Sequence, residues 1–384
     1  MGSLRLFGSA WGRAYFAQLL AGRLRAPVPT GAGRPVDLVV LVANHFEPLW
    51  GGHSLARGVG MTQDWCAGFA ALGVEDSDGR PFRHTYFFPA EQYHPDLLEP
   101  LAAHCAEGFG EVEVHLHHGV DAPDTPDRLE SALVEFLARL REHGCGAFDR
   151  DGRPGYAFVH GNWALANSAG GVNCGVDEEM AILARTGCYV DCTLPSAPDR
   201  SQVPAINAIY QCGHPLHTRA PHRSGPRLRL GQRDVVLPIL LQGPLVVDWT
   251  RRLWGLPVPR LDIGDLSAEF APDLERFRRW TTANIHVADA PSWVFVKLHT
   301  HGLIERHRET LLGAPMRRFL RALVDAYGED AGYRIHFVTA REAANLVFAA
   351  LDGQMGNPND FRDYRFVPPR HQSATPTSTA SAPA

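Results

Sequence analysis

The chain has 384 residues, of which 45% are hydrophobic, so it can bury one large core or two ordinary ones. Its formal net charge of -5 argues against nucleic acid as a main partner. No apolar run approaches the roughly 18 residues that a membrane-spanning helix needs. The 7 cysteines are spread along the chain without a Cys-x-x-Cys pair, which indicates reduced thiols and predicts a cytoplasmic protein.

Residues 1–35 form a basic N-terminal segment, since the first acidic residue is Asp37. Arginines alternate there with leucines and aromatic residues, and they interrupt what would otherwise be the apolar core of a signal peptide. The pattern predicts an amphipathic helix. We favour packing of this helix on the protein's own body, and the alternative is peripheral contact of residues 1–25 with a membrane surface.

From residue 36 onward, short β-rich runs alternate with helical patterns. Thr125-Pro126 is typical of a helix start, and Thr339 with Glu342 forms a capping box at another. The predicted strands are 36–42, 85–88, 112–116, 156–159, 189–192, 235–240, 293–298 and 335–338. Seven or eight alternations predict an α/β fold whose parallel sheet is closed, or nearly closed, into a barrel.

We place the barrel domain at residues 36–352. Within it, residues 213–284 are rich in Pro and Arg and contain one confident strand, so they are predicted to form an insertion or lid over the barrel mouth. Residues 353–384 are predicted to be an extended and largely disordered tail, because their end is composed mainly of Ser, Thr, Ala and Pro.

The segment 111–119 is the most informative part of the chain. It is a short strand pattern that ends in His115, His117 and His118. Alternate residues of a strand share a face, so His115 and His117 point the same way. Two imidazoles on one face suit a divalent metal with nitrogen ligands, most plausibly zinc. The alternative is a set of histidines whose hydrogen bonds are satisfied within a core.

Polar groups also follow the other predicted strands. In barrels of this kind the reactive side chains lie just after the strands, at one rim, so this pattern indicates a metal-dependent hydrolytic site. The groups are Asn44-His45-Phe46-Glu47, Glu91 to His94, His160 to Trp163, Asp191 to Thr193, and Lys297 with His299 and His301. The remaining histidines that we assign to the surface or to turns are His84, His143, His214, His217 and His222.

In motif order, residues 37–302 resemble the polysaccharide deacetylase superfamily (carbohydrate esterase family 4 and its relatives). The first motif falls on 43–48, the metal-histidine motif on 115–118, the substrate motif on 161–163, the acidic motif on Asp191 and the late Leu-x-His motif on 298–301. The resemblance implies a distorted barrel of about seven strands. It also implies a hydrolase that removes an N-acetyl or related acyl group from a carbohydrate or glycoconjugate.

The chain departs from that family at its first motif. Asn44-His45 stands where the family usually has two aspartates, and His-x-His-His replaces His-x-x-x-His. An asparagine cannot act as a base, so the base is expected at Glu47 or Asp191, unless the protein binds its ligand without catalysis.

The residues are given the following roles. His115, His117 and either His45 or Glu47 hold the metal, and Asp191 is the base or orients a histidine ligand. The resemblance implies that His299 protonates the leaving amine, with His301 as its close competitor. Asn162, Trp163 and His301 are predicted to line the sugar site.

Two rival interpretations remain from the sequence. A glycosidase on a related barrel would use two carboxylates, which Glu47 and Asp191 would supply, and would need no metal. A carbohydrate-binding relative would keep the fold without catalysis.

Overall fold

The fold is built on a large, mostly parallel sheet with helices packed around it, as seen in a computed structural model that describes residues 8–29 and 35–369. The strands are β1 (Val36–His45), β2 (His84–Pro89), β3 (Gly110–Leu116), β4 (Ala147–Asp149), β5 (Pro154–His160), β6 (Cys188–Asp191), β7 (Ile209–Tyr210), β8 (Ile239–Leu241), β9 (Val246–Asp248), β10 (Arg252–Leu253), β11 (Leu256–Pro257), β12 (Arg260–Asp262), β13 (Trp293–Thr300), β14 (Tyr333–Val338) and β15 (Phe366–Val367). The helices are α1 (Ala10–Leu20), α2 (Leu55–Ala70), α3 (Pro95–His104), α4 (Pro126–Glu142), α5 (Glu179–Thr186), α6 (Leu274–Thr281), α7 (Arg308–Leu312), α8 (Ala314–Ala326) and α9 (Ala340–Leu351).

The strand order β13-β1-β2-β3-β5-β6-β8 is parallel throughout. Strand β1 is buried along its whole length, as a central strand with both faces covered should be. The chain after β8 returns toward β13, since a Cβ on Gly243 would lie 2.5 Å from the carbonyl oxygen of Lys297. The predicted α/β fold with a parallel sheet is therefore confirmed, and its organisation is compatible with a barrel.

Seven of the eight predicted strands agree with observed strands to within three residues at either end, and the exception is 235–240. There only Ile239–Leu241 pairs in the sheet, and Val236 is exposed. Pro238 has no N–H to donate to a ladder, so the apolar run before it lies outside the strand. Thr125 and the Thr339–Glu342 capping box begin helices as predicted.

Helix α1 packs on the body of the protein. Trp11 and Tyr15 are buried against Ile206, Leu245 and Val247. A helix is thus observed at Ala10–Leu20, while residues 1–7 and 30–34 of the basic segment lie outside the described residues. Among the described helices, none has the length and apolar character that crossing a membrane requires.

Two predicted boundaries need correction. Strand β8, which lies inside the predicted insertion 213–284, is part of the main sheet through its pairing with β6. The predicted extended tail is folded over 357–369, because the buried Arg362 bonds to Glu342 and Asp76 and β15 pairs with β4. The composition typical of disorder covers only the residues after Pro368. Residues 370–384 lie outside the described residues.

Two of the histidines assigned to the surface or to turns are buried. His84 lies in β2 among aromatic rings, and His222 is fully buried. Burial lowers the pKa of both, to about 3 and about 4 respectively, so both are neutral at pH 7.

His336 lies in β14, which pairs with β1 in the main sheet, and it forms a buried ionic network. Its ring nitrogens lie 2.8 Å from Asp37 and 2.7 Å from Asp78. Burial alone would lower the pKa of His336, but the hydrogen bonds to these carboxylates outweigh burial and raise it above 6.5. A raised pKa means that the ion pairs stabilise the fold fully below about pH 6.5 and lose that effect as the pH rises through the folded-state value.

We therefore expect His336→Gln to lower the free energy of unfolding by about 2 kcal/mol near pH 6, and by less near pH 9. Urea unfolding of both proteins at the two pH values measures this difference. An equal loss at both would show that His336 is uncharged in the folded protein.

Candidate metal centre

Parallel strands place their carboxyl ends at one edge of the sheet, and here this brings Glu47, His115 and His117 together. Glu47 follows β1, and the two histidines lie at the end of β3. Glu47 Oε1 is 3.5 Å from His115 Nε2 and 3.1 Å from His117 Nε2. One ligand atom from each residue lies within 4.8 Å of the others, so this buried group has the geometry to hold a metal ion.

The Nδ1 atoms of His115 and His117 each have a hydrogen-bond acceptor. His115 Nδ1 donates to the carbonyl oxygen of Val159 at 3.1 Å, and His117 Nδ1 donates to Glu91 Oε1 at 2.6 Å. With the proton on Nδ1, the Nε2 lone pairs are available for a metal, which is the usual arrangement around metal-bound histidines. His115 Nε2 is buried and faces Glu47 Oε1.

In the group of Glu47, His115 and His117, the neighbouring side chains strongly shift the pKa values of Glu47 and His117. Burial would raise the pKa of Glu47, but hydrogen bonds with His115 and His117 outweigh it and lower the pKa to about 2. Burial would lower the pKa of His117, but Glu47 and Glu91 together raise it to about 9. Two carboxylates thus draw positive charge to this point, where a divalent cation would replace the proton of His117.

His45 and His301 flank this group. The His45 ring lies 4.7 Å from that of His115 and 4.6 Å from that of His301. Of the two residues predicted as alternatives for the third ligand, Glu47 joins the histidines within 4.8 Å, whereas His45 packs beside them. His45 Nδ1 is buried without a hydrogen-bond partner in the described residues, and burial lowers the pKa of His45 well below 6.5.

Asn44 has a structural role. Its Oδ1 accepts a hydrogen bond from the amide of Gly302 at 2.9 Å, which ties the end of β1 to the loop after β13. Its side chain is fully buried. Asn44 therefore holds two strand ends together.

Asp191 is buried at the end of β6. Its carboxylate accepts hydrogen bonds from the hydroxyl and amide of Thr193, and Thr193 Oγ1 in turn accepts one from the His160 amide. Burial raises the pKa of Asp191 to about 7. These contacts link Asp191 to the end of β5 through Thr193.

An open cleft lies beside the group of Glu47, His115 and His117. A cavity of about 530 Å³ is lined by His45, Glu47, Trp50 and His301. A second cavity of about 660 Å³ shares Trp50 and His301 with it, and is also lined by Trp163 and His299. The predicted site residues His299, His301 and Trp163 thus line one continuous surface. Asn162 precedes Trp163, and its backbone N–H donates to His160 Nδ1 at 3.2 Å.

Two acidic residues of this region were given no role from the sequence. Glu91, which holds His117, was noted after the second strand but had no assigned role. Glu179 begins α5, is fully buried, and lies 3.3 Å from His118 Nε2. No strand-end pattern marks Glu179, because it enters the site from a helix N-terminus.

No known family model matches the sequence, and a search of curated proteins finds no significant match. The resemblance to polysaccharide deacetylases rests on the order of the motifs given above.

Proposed function

We propose that this protein is a metal-dependent hydrolase that removes an N-acetyl or related acyl group from a carbohydrate or glycoconjugate. The observation that carries the proposal is the convergence of Glu47, His115 and His117, with Nδ1 of both histidines held by an acceptor, beside a cleft that Glu47 and Trp50 line. We further propose that the sheet closes into the distorted barrel that the resemblance implies, with the cleft at its mouth.

The donor set fits a borderline divalent ion such as zinc. Two neutral imidazoles and one carboxylate are the ligands of many catalytic zinc sites, which leave a further position open. When bound, such an ion acts as a Lewis acid that polarises the acyl carbonyl and acidifies water.

The chain's own residues bind and orient the substrate. Trp50 and Trp163 face the same cleft and offer flat apolar surfaces to the apolar faces of sugar rings. His301 lies 3.9 Å from Glu47 Oε2 and lines both cavities, so we assign to it the transfer of a proton to the leaving amine. His299, whose Nε2 is 4.0 Å from Asp265, would orient substrate deeper in the cleft.

The test is acetate release from a panel of N-acetylated sugars by zinc-loaded protein, before and after removal of the metal with a chelator. We expect turnover that the chelator abolishes and added zinc restores. Release of reducing sugar without acetate, unchanged by the chelator, would instead favour the two-carboxylate glycosidase. Sugar binding without acetate release would favour the non-catalytic alternative.

A further inference from the structure

A second group of buried side chains lies beside the first and shares no residue with it. It consists of His118, His160, Cys174 and Glu179, and one ligand atom from each lies within 4.8 Å of the others. His118 directly follows His117, so consecutive residues supply the two groups. We propose that this second group is a distinct metal site, held by His118, Cys174 and Glu179 with His160 as fourth ligand, which takes zinc or a similar thiophilic divalent ion.

The distances already approach those of a coordination sphere. Glu179 Oε1 lies 3.3 Å from His118 Nε2, and Glu179 Oε2 lies 3.3 Å from Cys174 Sγ. His160 Nε2 is 3.9 Å from Glu179 Oε1. Ligands of tetrahedral zinc, each about 2.0–2.3 Å from the ion, lie about 3.3–3.8 Å apart, so the distances of Glu179 to His118 and to Cys174 already suit a shared ion.

Cys174 is prepared to bind as a thiolate. Its Sγ accepts hydrogen bonds from the backbone amides of Asn167 at 3.3 Å and Val176 at 3.4 Å, and both donors stabilise negative charge on sulfur. Burial, together with the Glu179 charge, raises the pKa of the Cys174 thiol in the metal-free protein. A cation at this point would reverse that effect, because it binds the deprotonated sulfur.

His118 and His160 differ in how directly each can bind a metal. His118 Nδ1 faces Asp124 at 3.2 Å, which orients Nε2 toward the group in the manner of a carboxylate–histidine–metal arrangement. His160 Nε2 is fully buried and lacks a hydrogen-bond partner among the described residues. However, His160 Nδ1 accepts a hydrogen bond from the backbone N–H of Asn162, so the proton of the neutral ring is on Nε2. The ring must therefore turn before it binds a metal. His160 should therefore contribute least to affinity.

The site anchors a strained loop. Trp163, Ala166, Asn167 and Asn173 all have positive φ angles, between 47° and 59°, which residues other than glycine rarely adopt. Two of them are held by the ligands themselves, since the Ala166 amide donates to Glu179 Oε2 and the Asn167 amide donates to Cys174 Sγ. A metal here would fix the loop that presents Trp163 to the cleft, a consequence that rests on the proposed function.

The experiment uses the full-length protein, stripped by a chelator and reloaded with zinc alone or with cobalt(II) alone. We expect two equivalents of zinc and, in the cobalt form, the near-ultraviolet thiolate-to-cobalt charge-transfer band. Cys174→Ala should lose one equivalent and the band. His115→Ala/His117→Ala should also lose one equivalent but keep the band. His160→Ala should keep the band and bind cobalt more weakly.

Cys145→Ser is the matched control, because Cys145 is another buried cysteine whose thiol contacts a backbone carbonyl, that of His143, outside both groups. It should lose neither metal nor band. The absence of the band from folded wild-type protein would overturn the second site, as would a zinc content that Cys174→Ala leaves unchanged. One zinc equivalent that depends on Cys174 and not on His115 would keep the second site and remove the metal from the proposed function.

Discussion

Glu47→Gln is expected to abolish metal binding at the group of Glu47, His115 and His117, and with it the hydrolytic activity. The substitution keeps the size of the side chain and removes the one negative charge that directly faces both Nε2 atoms. The depressed pKa of Glu47, about 2, shows how strongly the histidines favour that charge. If the metal stabilises the transition state by about 4 kcal/mol, its loss lowers the rate about a thousandfold.

Glu91→Gln is the control for this variant, because Glu91 contacts the same imidazole from its other side. It bonds to His117 Nδ1 and not to Nε2, so it orients the ligand without being one. We expect zinc affinity to fall about 10–100-fold, with activity recovered at saturating zinc. Titration with zinc separates the two outcomes, and a Glu47→Gln protein that saturates like Glu91→Gln would remove Glu47 from the ligand set.

Much of the sheet was predictable because its signal is local. Runs such as 36–42 and 112–116 are apolar over the length of a strand, and their flanking turns and caps are encoded within a few residues. The error at 235–240 has a local cause, since Pro238 cannot donate to a strand ladder. The folded segment at 357–369 was missed because it depends on contacts made far along the chain, such as that of Arg362 with Asp76, which periodicity does not record.

The site was predictable to the extent that it lies on strand ends. His115, His117, Glu47 and His301 follow strands, and parallel topology alone brings such positions to one edge. Which of His45 and Glu47 completes the group was not predictable, because His45 ends β1 and Glu47 lies where the chain has left the strand, so strand periodicity no longer fixes the direction of its side chain. Glu179 and Cys174 lie on a helix and a loop, so the second group required the fold itself.

Gly161→Ala is expected to disrupt the first group without altering any of its ligands. A Cβ at Gly161 would lie 2.3 Å from His117 Cδ2, closer than real contacts allow. The backbone cannot retreat easily, because the Gly161 amide bonds to the Leu116 carbonyl at 2.8 Å. His117 is likewise held between Glu47 and Glu91, so the ring must leave the position that binds metal.

We expect the zinc affinity of Gly161→Ala to fall about a hundredfold, and the free energy of unfolding to fall by about 1–3 kcal/mol from the forced contact. Gly60→Ala is the matched control. Gly60 lies in helix α2 with no atom within 4 Å of a new Cβ, so this change should leave zinc affinity intact and stabilise the helix by up to about 1 kcal/mol. Zinc titration and urea unfolding of both variants measure the two effects. Unchanged zinc affinity in Gly161→Ala would mean that His117 does not bind the metal from the position described here, whatever the cost to stability.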